Sequence, residues 1–344
     1  MTSDDDLLKA PPPRLATLHG LRARIDHEPV APARLTRDEY NKLDESTRCS
    51  YDAERLTWFG GGFIFRTEDI AKITKIIRYF EVTRSRIGFG GERVLLIDGD
   101  ANFGKTTCLI ELAREVEATF AKRHPAYRDA GYAPVVYIEM MPNSTPKTIG
   151  TAVLDYFGVP SRPRDTHTEL IRKASELLIA HRTRVLVVDE MQMLKLDGST
   201  GDAAVNTLKS IINASSVTTV LAGIDILADL RSRPAQQLLS RGQSLRLLNH
   251  HRGNDAARLR WANLVDAFAH EMLLLDGKPE DLRPYADVLL DVTGGRIGNL
   301  RRVLGMAMAV AVGDGVERIT LDVLGVAIPG FEPPANSFRK RGAA

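Results

Sequence analysis

The chain has 344 residues, 44% of them apolar and 26% charged, a balance that excludes a fibrous, low-complexity or wholly disordered protein and leaves room for two domains. Lys and Arg number 46 against 44 Asp and Glu, so the net charge of +2 does not announce nucleic-acid binding, and any such surface must be a local patch. Two cysteines, Cys49 and Cys108, exclude a disulfide framework, and no apolar run approaches the ~18 residues of a membrane span.

In chain order, residues 1–33 are rich in Pro, Arg and Ala around Pro11-Pro12-Pro13 and read as a mobile arm or a segment ordered by a partner. They start acidic, Met1 to Asp6, without a signal-peptide pattern, and a cytoplasmic location is expected. Thr36 to Ala53 is polar and helix-compatible, and Trp58 to Phe65 is a compact apolar turn. Thr67 is placed as an N-cap, with Glu68 and Asp69 in the first helical turn and Ile70, Ile73, Ile76, Ile77 and Phe80 on one face.

An apolar strand, Arg93 to Asp98, then runs into Gly99-Asp-Ala-Asn-Phe-Gly104-Lys105-Thr106-Thr107. The pattern G-x-x-x-x-G-K-T between a strand and a helix is the phosphate-binding P-loop. Gly99 and Gly104 let the backbone turn its N–H groups toward phosphate oxygens, Lys105 supplies a point charge, Thr106 offers a hydroxyl to Mg²⁺, and Thr107 continues the motif. The helix that begins there adds the positive end of its dipole. Cys108, just inside it, reads as a small buried residue.

Four more strands are expected, at 133–139, 184–188, 217–222 and 243–248, with helical patterns such as 168–181 and 203–213 between them. Such alternation predicts a parallel sheet with helices on both faces. The third strand ends in Asp189-Glu190. Asp189 can hold the water shell of Mg²⁺ beside Thr106, and Glu190 can polarise a water for attack on a γ-phosphate. Two acids could also mark only a strand reaching the surface, but behind a P-loop they point to a hydrolysing NTPase. Gln192 is open between a γ-phosphate sensor and a turn cap. Many proteins of this fold place a sensing polar residue at the end of the fourth strand. Thr219 and Asp225 are the options here, and a buried threonine and a turn residue are the plainer readings of them. Arg241 before the fifth strand is the candidate to reach a neighbouring subunit's nucleotide, with Arg233 and Arg246 as competitors.

From about Asn249 the pattern is helical, at 261–275, 281–292 and 298–312, and Phe338 to Arg341 is a basic tail read as disordered. Gly298 and Asn299 suit a helix start. Arg301 would then reach the phosphates from a helical lid, with Arg296 as alternative and plain solvation of the helix as the ordinary reading.

These landmarks together resemble AAA+ ATPases of the initiator-like group and, closer, the TniB/TnsC family of transposition regulators. The resemblance rests on Val185 to Leu194, on Leu221-Ala-Gly223, and on Thr293 to Leu300 continuing through Ala307–Val312 and Gly315–Thr320, and it covers about residues 60–328. It implies an α/β P-loop AAA+ fold with a parallel sheet flanked by helices and a small C-terminal helical lid. The expected division is an arm at 1–33, an ATPase domain with an N-terminal helical extension at 34–248, a lid at 249–330 and a tail at 331–344. The family tends to carry Gly-Thr after the fourth strand, where this chain has Gly223-Ile224-Asp225, so the first sensor residue is open.

The resemblance further implies ATP and Mg²⁺ as cofactors and a homo-oligomeric ring or filament on double-stranded DNA. It implies selection of the target site and recruitment of a transposase, with a target-selector protein as a further partner in some systems and hydrolysis driving disassembly. DNA contacts are then expected at the helix opened by Thr145 and Lys147, more weakly at Arg162 and Arg164, unless that helix is an ordinary capped surface element. A replication initiator or helicase loader, and a signalling NTPase that never touches DNA, are the competing functions.

Overall fold

The computed structural model describes residues 13–84, 94–194, 198–230, 232–240, 242–247, 250 and 253–328. The chain divides into two compact units, and the division is not the one expected from sequence. The first contains residues up to Glu28, Arg66–Ala101 and Lys105–Leu247; the second contains Pro29–Phe65, Asn102–Gly104 and Leu248 onward.

In the first unit, α1 (Leu18–Asp26) opens the described chain. Residues 13–28 therefore do not form the arm expected of 1–33. Leu21 and Ile25 are buried, Thr17 caps the helix by accepting from Gly20 N, Arg22 Nη2 donates to Tyr132 O at 2.7 Å, and Asp26 pairs with Arg128 at 2.6 Å. Two apolar side chains flanked by proline-rich sequence carry too weak a period to reveal such a short helix. Helix α4 (Glu68–Arg84) follows the intervening helices of the second unit, and Ile70, Ile73, Ile77 and Phe80 are buried along it as the periodicity predicts.

Five strands, β1 (Val94–Asp98), β2 (Val135–Glu139), β3 (Val185–Asp189), β4 (Thr218–Gly223) and β5 (Gly242–Arg246), form one parallel sheet in the order β2-β3-β4-β1-β5. The inner strands are buried on both faces, which explains their unbroken Val/Leu/Ile runs. The connecting helices are α5 (Lys105–Arg123), α6 (Pro146–Tyr156), α7 (His167–Ala180), α8 (Gly198–Ser215), the short α9 (Ile226–Asp229) and α10 (Arg233–Leu239). Register sets Asp98 between Gly223 and Arg246, and Asp189 beside Glu139, so all these ends lie along the carboxyl edge of the sheet. That edge is where ligands bind in open α/β sheets.

The second unit is helical. It joins α2 (Arg37–Asn41), α3 (Glu45–Thr57) and a π-turn (Trp58–Gly62) to α11 (Asp255–Glu271), a 3₁₀ segment (Pro279–Tyr285), α12 (Ala286–Thr293), α13 (Ile297–Gly313) and α14 (Leu321–Ala327). Phe59, Trp261, Phe268, Leu289, Leu300, Leu304 and Met308 are fully or almost fully buried in its core. Residues 29–65 thus pack with the C-terminal helices instead of extending the ATPase domain. Phe59 and Phe63 enter its apolar core, and Arg55, with no exposed surface, donates to Glu317 at 2.7 and 2.5 Å, to Asp52 at 2.6 Å and to Leu273 O at 3.2 Å. Among the described residues no helix is long and apolar enough to cross a membrane. The basic tail lies outside the described residues.

Candidate nucleotide site

At the end of β1 the chain enters the P-loop. Left-handed backbone occurs at Asn102 (φ 66°) and Gly104 (φ 84°), so the turn that needs glycine is at Gly104. Apart from its own residue and chain neighbours, nothing lies within 4 Å of where a Cβ on Gly104 would stand. Gly99 contributes differently, its N–H donating to Gly223 O at 3.2 Å and fixing the loop's start on β4. Lys105, the first residue of α5, is almost fully buried, and its ammonium donates to Gly99 O at 2.7 Å and Asp100 O at 2.8 Å. Burial pushes its pKa down, and the Glu190 and Asp189 carboxylates oppose that shift. A buried ammonium held by loop carbonyls, beside a glycine turn with open space, fits a polyphosphate. Thr107 is half-buried in the same helical turn, and Cys108 is buried, its thiol pushed up to about 12 by desolvation and hence inert.

The neighbouring strand supplies the acids. Asp189 is buried at the tip of β3. Its Oδ1 accepts from Glu190 N at 2.9 Å, and its Oδ2 lies 2.5 Å from Tyr137 Oη and 3.4 Å from Thr106 Oγ1. Thr106 and Asp189, expected to share a cation, are thus together, and this donor set suits Mg²⁺ with its retained waters and substrate phosphates. Glu190 is left-handed (φ 57°) and begins the 3₁₀ turn Met191–Met193. Its Oε2 accepts from Gln192 Nε2, and Gln192 Oε1 accepts from Ile224 N at 3.0 Å. Sequence reasoning missed Tyr137. The available signal was a phenol in an otherwise apolar strand, which needs a polar partner once buried.

The remaining candidates separate. Asp225 is exposed and left-handed, and Arg246 lies 3.9 Å from it and 3.8 Å from Asp98. Asp98 Oδ1 also accepts from Ile226 N at 3.0 Å, and burial pushes the Asp98 carboxyl up. Arg246 is therefore engaged with carboxylates of its own chain. Thr219 is fully buried in β4, four positions before Gly223 in the register, so a sensing role for it is not supported by position. Arg233 is exposed at the start of α10, and Arg241 lies outside the described residues.

Within the second unit, α13 starts at Ile297 with Arg296 as its N-cap, earlier than Gly298 and Asn299 suggested. Asn102, at the tip of the P-loop, accepts from Gly298 N through its carbonyl at 3.1 Å and donates from its amide to Asn299 Oδ1 at 3.2 Å. Arg296 sits 5.5 Å over the Phe103 ring. Arg301 instead donates to Phe63 O at 2.7 Å and stacks 4.3 Å over Phe63. Of the two arginines, the alternative Arg296 is the one beside the P-loop tip.

Thr145 is the N-cap of α6 and exposed. It shares a reciprocal cap with Thr148, the two hydroxyls 3.1 Å apart, and Lys147 is exposed in the first turn. Arg162 and Arg164 are also exposed.

Among solved structures, the chain is similar to the ORC2 protein of Aeropyrum pernix in its ADPNP–ADP complexes, at 19% identity and TM-score 0.59, covering 79% of this chain and 70% of that one. It is also similar to the Aeropyrum pernix ORC1 protein in complex with DNA, at 16% identity and TM-score 0.53 over 78% and 68% of the two chains. Drosophila ORC bound to DNA matches at 14% identity and TM-score 0.54 over 87% and 70%. At such identities the likeness establishes the AAA+ fold alone. No curated protein matches the chain. The Bacterial TniB protein family matches residues 68–252, more than half of the chain, and the match spans the P-loop, the Asp189-Glu190 strand and the whole sheet, so the chain belongs to the TniB family.

Proposed function

We propose that this protein is an ATP-hydrolysing transposition regulator that assembles as an oligomer on duplex DNA, recruits a transposase to that site and is released by hydrolysis. The observation that carries the reading is the grouping of Thr106, Asp189 and Glu190 beside a buried Lys105, in a chain of the TniB family. Lys105 binds and orients phosphate oxygens, exchanging two loop carbonyls for anionic partners. Thr106 and Asp189 would hold Mg²⁺, which would supply neutralisation of phosphate charge. Glu190 accepts a proton at its carboxylate from the attacking water.

A net charge of +2 is compatible with DNA binding if each subunit adds a few phosphate contacts and assembly multiplies them. Thr145 and Lys147, exposed at one helix N-terminus, have suitable chemistry. The expected result is duplex retention in a gel with ATP, weak retention without it, and ordered oligomers on DNA by electron microscopy with a non-hydrolysable analogue. Equal retention with and without ATP at low salt overturns the DNA-assembly reading.

A further inference from the structure

The turn after β4 lacks the polar side chain that would touch a phosphate or a water at this place. Gly223 has no side chain, Ile224 is apolar, and the exposed Asp225 faces Arg246. The space is filled from the other side. Gln192, half-buried between β3 and β4, accepts from Ile224 N through Oε1 and donates through Nε2 to Glu190 Oε2. The orientation of this amide follows from its neighbours. Ile224 N can only donate and the Glu190 carboxylate can only accept, so the oxygen must face the backbone and the nitrogen the acid.

Gly223 belongs to the same arrangement. Its backbone is not left-handed, so glycine is not required there for conformation. A Cβ at this position would stand 2.6 Å from Gln192 Oε1 and 2.7 Å from Ile226 Cγ2. The missing side chain at 223 is the room that the Gln192 amide occupies.

We propose that Gln192 is the first sensor of this ATPase: a positioning residue, supplied from the β3 side, that aims Glu190 and ties it to the β4 turn, with Gly223 making space for it. This rests on the hydrolytic reading above. With Oε2 of Glu190 held by the amide, Oε1 is the oxygen left to take the proton of a water. A shift of the β4 turn moves Ile224 N and, through one rigid amide, the carboxylate.

The test uses the full chain and compares wild type, Lys105→Ala, Gln192→Ala, Gln192→Glu, Gly223→Ala and the double variant Gln192→Ala/Gly223→Asn. The measurements are labelled-ATP binding and steady-state hydrolysis, with kcat and KM taken separately. Gln192→Ala is expected to bind ATP like wild type and lose roughly 100-fold in kcat with little change in KM. Gly223→Ala should reproduce much of that loss by displacing the amide. Gln192→Glu puts an acceptor where the Glu190 carboxylate needs a donor, and should lose kcat as Gln192→Ala does while ATP binding is kept. The change Gly223→Asn, once Gln192 is truncated, returns an amide to the end of β4 and should recover part of the lost kcat.

Turnover by Gln192→Ala equal to or faster than wild type overturns the assignment. So does a loss that the added Gly223→Asn change does not relieve, or one that appears in KM and not in kcat, because a merely structural role gives that pattern. If wild type binds ATP but does not hydrolyse it, the ATPase reading fails and the sensor with it. Wild-type hydrolysis left intact in Gln192→Ala removes the sensor alone.

Discussion

Tyr137 Oη, on β2, donates to Asp189 Oδ2 at 2.5 Å, so the carboxylate best placed to hold a cation is oriented by the adjacent strand. Burial, and then the Asp189 charge, push the Tyr137 phenol far above its ordinary range, and it stays a neutral donor at any working pH. Partners of this kind fix a ligand's rotamer, and their loss typically costs at least about 10-fold in metal affinity. Tyr137→Phe should therefore raise the Mg²⁺ concentration needed for half-maximal nucleotide binding by about 10-fold and leave Mg²⁺-free binding unchanged. A Mg²⁺ titration followed by labelled-ATP anisotropy measures both. An unshifted midpoint would show that Thr106 and the Glu190 N–H alone suffice to place Asp189.

Lys105→Ala removes the buried ammonium, and ATP affinity should drop by roughly 100-fold or more, since no second cation of the loop replaces it. Glu190→Gln keeps a side chain of the same size and should keep ATP binding while losing at least about 100-fold in turnover. Wild-type affinity in the first variant, by calorimetry, would remove Lys105 from the site.

Arg241 remains the proposed residue acting on a neighbouring subunit. Its substitution by alanine should preserve ATP binding and lower hydrolysis by about 10³-fold. Mixing Arg241→Ala with Glu190→Gln should restore activity, because mixed oligomers contain sites with both groups intact. Absence of rescue across mixing ratios, with co-assembly shown by crosslinking, would place Arg241 in its own subunit's site or in none.

Lys147→Glu should weaken duplex binding equally on unrelated sequences. It should also reduce the slope of log affinity against log salt by about one counterion. Filter binding at several salt concentrations reads the slope. A sequence-dependent loss would instead assign Lys147 to base recognition.

Arg55→Ala leaves Glu317 buried without its cation and should destabilise the second unit by about 3–5 kcal/mol. Both tryptophans of the chain, Trp58 and Trp261, lie in that unit, so their fluorescence during urea unfolding reports on it selectively. Arg55→Met/Glu317→Leu should recover much of the loss. An unchanged midpoint in Arg55→Ala would mean that the pair is not buried in solution.

The P-loop, the five strands and the acid pair were legible because each has its own local signature: a glycine spacing, an apolar run, a strand ending in carboxylates. Arg55 and Glu317 were not, since 262 residues separate them and neither carries a mark of burial in the sequence. The contacts of Arg301 were not legible for a related reason. Its guanidinium found backbone carbonyls and an aromatic face at Phe63, a preference that helical position alone does not encode. The helix at Leu18–Asp26 was hidden by its proline-rich flank; Gln192 was visible as a candidate, but not its partners, since both come from bends in the chain rather than from periodic elements.

The ion pair between Arg55 and Glu317 also orders events in time. During synthesis Arg55 is made first, and at about 5–20 residues per second the ribosome needs on the order of 10–50 s to reach its partner 262 residues later. The α/β sheet lies entirely within that interval and can fold before the second unit has its own C-terminal half. Helix α3, with Arg55 near its end, therefore lacks its Glu317 partner throughout the time the sheet strands are being made, and the pair can close only when residue 317 arrives.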